Sequence, residues 1–288
     1  MITPVRQHQA LVRDILDGSA LPGFRLWWLG QSGFALQWER RLALLDPYLS
    51  DSLTVKYANT DKPHVRMTAL CVQPEPLASL GLCLVTASHH HTDHLDGDTL
   101  RPIFRQETAR WPAVRLVVPE AWRALAAERS GRAQNEIDGM DDGTVLQTSG
   151  FTITAIASAH ETIERDEGGH CRFLGYVIQF GGWTVYHSGD TVLYDGMVER
   201  LRPFNVDVAI LPINGADPRR RVPGNLDGRQ AAWLGREIGA RVVIPCHYEM
   251  FEFNTASPDD FADECRRMGQ ACRLLRCGER FDSMEIER

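Results

Sequence analysis

One short segment narrows the folding options of this 288-residue chain more than any other. A strand-like run, Leu82 to Val85, leads into Thr86-Ala87-Ser88-His89-His90-His91-Thr92-Asp93-His94-Leu95-Asp96-Gly97. Imidazole nitrogens and a carboxylate suit zinc, manganese or iron, and four such ligands just past a strand end build most of a cation site locally. Residues two apart in an extended segment point the same way, so His89 and His91 can grip one cation while His90 faces elsewhere. Asp93 and His94, at the turn into the next helix, can reach a second. Histidines packed this closely repel one another when protonated, so without metal the cluster suits neither a core nor a solvated surface.

The remaining chain reads as a mixed α/β or α+β protein. Residues 5 to 17 space their apolar side chains helically, and 1–20 are expected to form an N-terminal capping helix on a single domain spanning 1–288. Strand-like runs follow at Arg25 to Leu29, Phe34 to Trp38 and Leu42 to Leu45, an antiparallel meander. Further runs are Val114 to Val118, Val145 to Leu146, Phe151 to Ala157, Phe173 to Phe180, Trp183 to His187, Val206 to Leu211 and Arg241 to Pro245. Helices are expected near Glu120 to Arg129 and from about Gly228 to Ile238, and Glu161 to His170 reads as an exposed loop. If both halves are alike, two sheets stack between helical layers.

Composition excludes several functions. Thirty-one Lys and Arg against 38 Asp and Glu give a net charge of −7, too acidic for a broad nucleic-acid surface. No window approaches a membrane helix and the first residues lack a secretion signal, so a cytoplasmic protein is expected. The seven cysteines contain no Cys-x-x-Cys pair, and reduced thiols fit that compartment. A chain this long needs no metal to fold, which assigns a metal site to chemistry.

The pattern His89-x-His91-x-Asp93-His94 resembles the signature of the metallo-β-lactamase-fold hydrolases. That resemblance implies a four-layer αββα sandwich and one or two divalent ions, zinc or manganese. His89, His91 and His160 would hold the first ion, Asp93, His94 and His247 the second, with Asp190 bridging. His170 and His187 compete with His160 for its place. Asp46 matches the family's supporting carboxylate, and before Pro47 it equally suits a turn start. Two such cations hold a hydroxide, which Asp93 and Asp190 would orient toward a carbonyl or phosphoryl group.

Within the family, Trp27-Trp28-Leu29-Gly30-Gln31-Ser32-Gly33, Tyr186-His187-Ser188-Gly189-Asp190, Asp217-Pro218-Arg219 and Val242-Val243-Ile244-Pro245-Cys246-His247-Tyr248 are similar to the L-ascorbate-6-phosphate lactonase group. The implied reaction is opening of a phosphorylated sugar-acid lactone or a related small anionic ester. Arg219, in the run to Arg221 beside Asn214, would receive the anion, although a solvated basic loop fits the same residues. His187 and Tyr248, neighbours of ligands, would donate to an oxyanion or leaving group. Trp27 and Trp28 read as core. Alternatives are a phosphodiesterase or nuclease on the same fold, and a di-iron oxidoreductase, which usually places Glu where His91 stands. A small anionic substrate is the expected partner, nucleic acid and membrane are not, and a homo-oligomer stays open.

Overall fold

The computed structural model describes residues 1–105 and 113–286. Its first half runs α1 (Gln9–Gly18), β1 (Phe24–Gly30), β2 (Gly33–Trp38), β3 (Arg41–Leu45), α2 (Ser52–Tyr57), β4 (Leu82–Thr86), α3 (Gly97–Arg105), β5 (Arg115–Pro119), α4 (Arg123–Ser130) and β6 (Ile137–Met140). The second half adds β7 (Val145–Thr148), β8 (Phe151–Ala157), β9 (Leu174–Phe180), β10 (Trp183–His187), α5 (Met197–Leu201), β11 (Val208–Pro212), α6 (Gly228–Glu237), β12 (Val242–Cys246), α7 (Asp259–Met268) and β13 (Arg280–Asp282). One sheet is ordered β13-β1-β2-β3-β4-β5-β6 and the other β12-β11-β10-β9-β8-β7.

Strand alternation explains the layering. Phe24, Leu26 and Trp28 of β1 enter the core between the sheets, where Phe24 meets Phe180 edge-on at 5.4 Å. Trp27 and Leu29 face the other way and join Leu11 and Ile15 of α1 with Leu100 and Ile103 of α3 in a second core. Ala231, Ala232 and Leu234 of α6 and Phe261 and Cys265 of α7 cover the second sheet. The order is helices, sheet, sheet, helices: the αββα sandwich. With apolar neighbours on both faces, central strands are apolar at nearly every position, as in Val-Ala-Ile-Leu-Pro of β11. Among the described residues no helix is long and apolar enough to cross a membrane.

Several elements differ from the sequence expectation. The region 120–129 begins as a 3-10 turn at Glu120–Trp122 before α4, and β6 and β13 are too short for a periodic signal. β13 brings the chain end back beside β1, pairing Arg25 with Asp282, whose side chains meet at 3.2 Å. α2, α5 and α7 carry no helix expectation from the sequence, whereas α3 is the helix expected after Asp93 and His94, and it forms in spite of Pro102 in its interior.

Strand direction positions the site. β3 and β4 are parallel, β10, β11 and β12 are parallel, and the antiparallel steps β1-β2-β3 and β8-β9-β10 restore direction at every second strand. The turns after β1, β3, β4, β8, β10 and β12 therefore carry Gln31, Asp46, the His89 to His94 segment, His160, Asp190 and His247. Carboxyl ends of strands are where sheets of this type present ligand sites.

Candidate metal centre

Immediately after β4 the backbone bends instead of staying extended, yet His89 and His91 still converge, with Nε2 of the first 2.9 Å from Nδ1 of the second. His90 turns away and stacks on Trp122, centroids 4.1 Å apart. Arg129 holds the bend from behind, its Nη1 donating to the carbonyls of His90 and Leu95. Three groupings of side chains each bring one ligand atom per residue within 4.8 Å: His89, His91 and His160; His89, His94 and Asp190; Asp93, His94 and His247.

Asp190 lies among the imidazoles. Its Oδ1 is 3.4 Å from His94 Nε2, and its Oδ2 is 3.4 Å from His247 Nε2 and 3.5 Å from His160 Nε2. Asp93 Oδ2 stands 3.7 Å from both His94 Nε2 and His247 Nε2. Gly189 makes this approach available: at φ +59° it sits where a Cβ would fall 2.4 Å from that of Ser88.

Partners on the far side of two rings fix which nitrogen faces inward. His94 Nδ1 pairs with Asp46 Oδ2 at 2.7 Å, and His160 Nδ1 donates to the Gly224 carbonyl at 2.9 Å. Both Nε2 atoms are left toward the centre, the arrangement that outer hydrogen bonds impose on metal-ligating histidines. Asp46 also accepts from the Ser88 amide at 2.9 Å and from the Ser88 hydroxyl. Asp46, His247 and Gln31 have φ of +42°, +64° and +51°, a left-handed backbone that costs energy outside glycine and clusters at functional sites.

Charge is unevenly held. Burial works to raise the Asp190 carboxyl, but His247 and His94 overcome it and keep the group well below the carboxylate range. Burial works to lower His94, and Asp190 and Asp93 reverse that and hold it well above an ordinary histidine. Burial, with its like neighbours adding, keeps His89 well below. His94 Nε2 and Asp190 Oδ1 are buried without a hydrogen bond although they face each other. This orphaned pair, set among the Nε2 atoms of His160 and His247, belongs to the nitrogen and carboxylate donor set a divalent transition metal requires.

These groups open onto a cleft of about 340 Å³, the size of a small-molecule site. His91, Asp93, His160, Asp190 and His247 line it, and His89 and His94 lie directly behind, both essentially inaccessible. Other expected residues stand elsewhere. His187 is fully buried between the sheets, its Nε2 3.0 Å from the Ser32 carbonyl. Tyr248 packs at a tilt against Trp28 and donates its hydroxyl to the Leu275 carbonyl, leaving no proton for a substrate. Arg219 is 91% exposed and paired with Asp217 at 2.8 Å, outside the cleft. Asn214 does not line the cleft but supports residues that do, donating to Asn254 at 2.9 Å and accepting from Asn225 at 3.0 Å. His170 pairs with Asp166 on the outer loop, away from the place it competed for.

Gln31 went unnoticed as a site residue because a neutral amide in a glycine-flanked turn carries no ligand signature. Its Nε2 lies 2.8 Å from Asp93 Oδ2 and 3.1 Å from His247 Nε2, and its carbonyl accepts from Trp28 Nε1 and the His247 amide. Gln31→Leu should keep the fold and lower metal affinity or kcat by roughly 10- to 100-fold, the usual effect of losing an outer hydrogen bond to a ligand. Metal titration followed by steady-state kinetics checks this; unchanged values for both would remove Gln31 from the site.

Comparison with known proteins gives the same architecture. A family model described as a beta-lactamase superfamily domain matches residues 42–248. A "UPF0173 metal-dependent hydrolase" of Opitutus terrae is 30% identical over 261 residues, covering 90% of this chain and 99% of that one. Among solved structures, a metallo hydrolase from the archaeon Ignicoccus hospitalis has a TM-score of 0.63 at 23% identity, covering 90% of this chain and 97% of the other. An isothiocyanate hydrolase from Delia radicum gut bacteria reaches 0.68 at 19% identity, with 89% and 98% covered. At such identities these two structures establish the fold alone. The narrower likeness to ascorbate-phosphate lactonases is corrected to a broader placement, since the matching relatives are described by metal dependence and not by substrate. The chain belongs to the beta-lactamase superfamily, in the UPF0173 family of metal-dependent hydrolases.

Proposed function

We propose that the chain hydrolyses a small anionic ester or lactone, the class that includes the phosphorylated sugar-acid lactone expected from the sequence. The observation that carries this reading is the convergence of seven ionisable side chains, from the four turns after β4, β8, β10 and β12, on one small cleft. His89, His91 and His160 would hold one ion and Asp93, His94 and His247 a second, with Asp190 between them. A bound divalent ion, zinc or manganese, supplies Lewis acidity and lowers the pKa of water from about 16 to about 7. Asp93 Oδ2 and Asp190 accept hydrogen bonds from the attacking water and fix its line of approach. Gln31 Nε2 holds Asp93 in place for this task. Water adds across the acyl C–O bond, giving a carboxylic acid and an alcohol, both on one molecule when a lactone opens. Lys56, which lines the cleft, takes the anion-receiving role that the sequence assigned to Arg219.

The test is a panel of a sugar-phosphate lactone, a simple lactone, a phosphodiester and a β-lactam, each with added Mn²⁺ or Zn²⁺. A lactone should be opened, chelation should abolish turnover, metal should restore it, and His91→Ala should be inactive in the same assay. Cleavage of the phosphodiester alone would replace the substrate class. Turnover that survives both chelation and His91→Ala would end the metal-dependent reading.

A further inference from the structure

Part of the cleft lining is aromatic. Tyr48, Leu53, Met250 and Phe251 form an apolar cluster separate from the two main cores, and the half-buried Tyr57 and Phe253 pack against it. Tyr57 stacks on His64 with centroids 4.2 Å apart and 19° between planes. His64 in turn meets Phe253 at 4.4 Å and Phe251 at 5.3 Å. Leu53, Tyr57, His64, Phe251 and Phe253 line the same cleft as His91, Asp93 and Asp190.

The wall is built, not incidental. Leu53 and Tyr57 stand four apart on α2 and so share a face. The segments around residues 66 and 251 lie edge to edge, through the Arg66–Phe251 bridge and the Met67 amide on the Met250 carbonyl at 2.8 Å. His64 Nδ1 lies 3.1 Å from the Lys62 carbonyl and donates to it, which fixes the ring. Burial lowers its pKa, so the ring is neutral at pH 7 and the wall carries no charge of its own. At its rim stands Lys56, exposed, with Nζ 5.1 Å from the Tyr57 ring. Arg129, also lining the cleft, is committed to two backbone carbonyls.

We propose that this wall is the subsite for an aromatic or other flat unsaturated group next to the scissile carbonyl, with Lys56 receiving a carboxylate or similar anion on the same molecule. The substrate class is then an aryl- or arylalkyl-bearing ester or lactone with one acidic group. This rests on the hydrolytic reading of the cleft and narrows it. Aromatic faces bind a flat ring more tightly than a puckered one of equal size, through offset or edge-on contact in addition to area burial. A polyhydroxylated chain would set its hydroxyls against carbon, where their hydrogen bonds to water are lost.

Two unreactive probes of equal charge test the wall without turnover. 1-Naphthoate and its saturated counterpart of the same carbon skeleton, decahydronaphthalene-1-carboxylate, are titrated calorimetrically into the metal-loaded protein. Both carry the same carboxylate, so whatever it contacts cancels in the comparison. Naphthoate should bind about tenfold more tightly. Phe253→Leu and Tyr57→Leu, which keep apolar bulk and so protect the fold, should each abolish most of that preference. Lys56→Met should weaken both probes alike and leave their ratio unchanged. Equal affinities in the parent protein, or a preference that survives both leucine variants, would overturn the proposal. Dihydrocoumarin and δ-valerolactone then separate the two readings. Faster opening of the aromatic lactone, lost in Phe253→Leu, supports both. A naphthoate preference with neither lactone opened keeps the wall and sinks the ester-hydrolysis reading.

Discussion

Asp190→Ala is expected to cost about 10³-fold or more in turnover, about 4 kcal/mol of barrier, and to strip the protein of its metal. Its carboxylate is the group that faces His94, His160 and His247 together, at 3.4 to 3.5 Å. Without it the inward nitrogens have, among the described residues, Asp93 as their remaining nearby anion, and mutual repulsion sets a limit on how much positive charge the pocket can gather. Asp190→Asn separates charge from shape, because the amide fills the same space without the charge. Both variants should fold, with elemental analysis showing less than one equivalent of metal. A full complement of metal and a parental rate in Asp190→Asn would show that the carboxylate is dispensable.

Asp46→Ala should act on stability as well as on rate. The carboxylate is inaccessible and accepts from His94 Nδ1, the Ser88 amide and the Ser88 hydroxyl. Removing one partner of a buried charged pair leaves the other uncompensated, at a cost of about 3–5 kcal/mol. With its outer partner gone, the His94 ring is free to turn, and metal affinity should fall about 10- to 100-fold. Urea denaturation of the metal-free protein reads the first effect and a competitive chelator titration reads the second. A loss under 1 kcal/mol with unaltered metal affinity would mean that Asp46 supports nothing.

How much of this was legible in the sequence depended on distance along the chain. The His89 to His94 segment announces itself because its ligands are neighbours. Asp190 and His247 were readable because each follows an apolar strand, and the direction of those strands delivers both to one edge. Adjacency misleads at His187 and Tyr248. His187 ends β10 three residues before Asp190 and points between the sheets toward the Ser32 carbonyl, and beyond the left-handed backbone at His247 the Tyr248 ring packs on Trp28. At Arg219 the nearest anion, Asp217, lies two residues away and occupies the guanidinium locally. The aromatic wall had no signature at all, since its members come from 53–64 and 251–253 with no shared period and meet only through tertiary packing.

The six turns around the centre come from both sheets: Gln31, Asp46 and the His89 to His94 segment from one, His160, Asp190 and His247 from the other. Neither layer carries a full coordination set, so an ion is gripped firmly only when the sandwich has shut. Mass action makes that ion a clasp between the halves, adding about 2.7 kcal/mol to their cohesion at a hundredfold excess over Kd. A protein of this design resists unfolding best in the form that is ready to work.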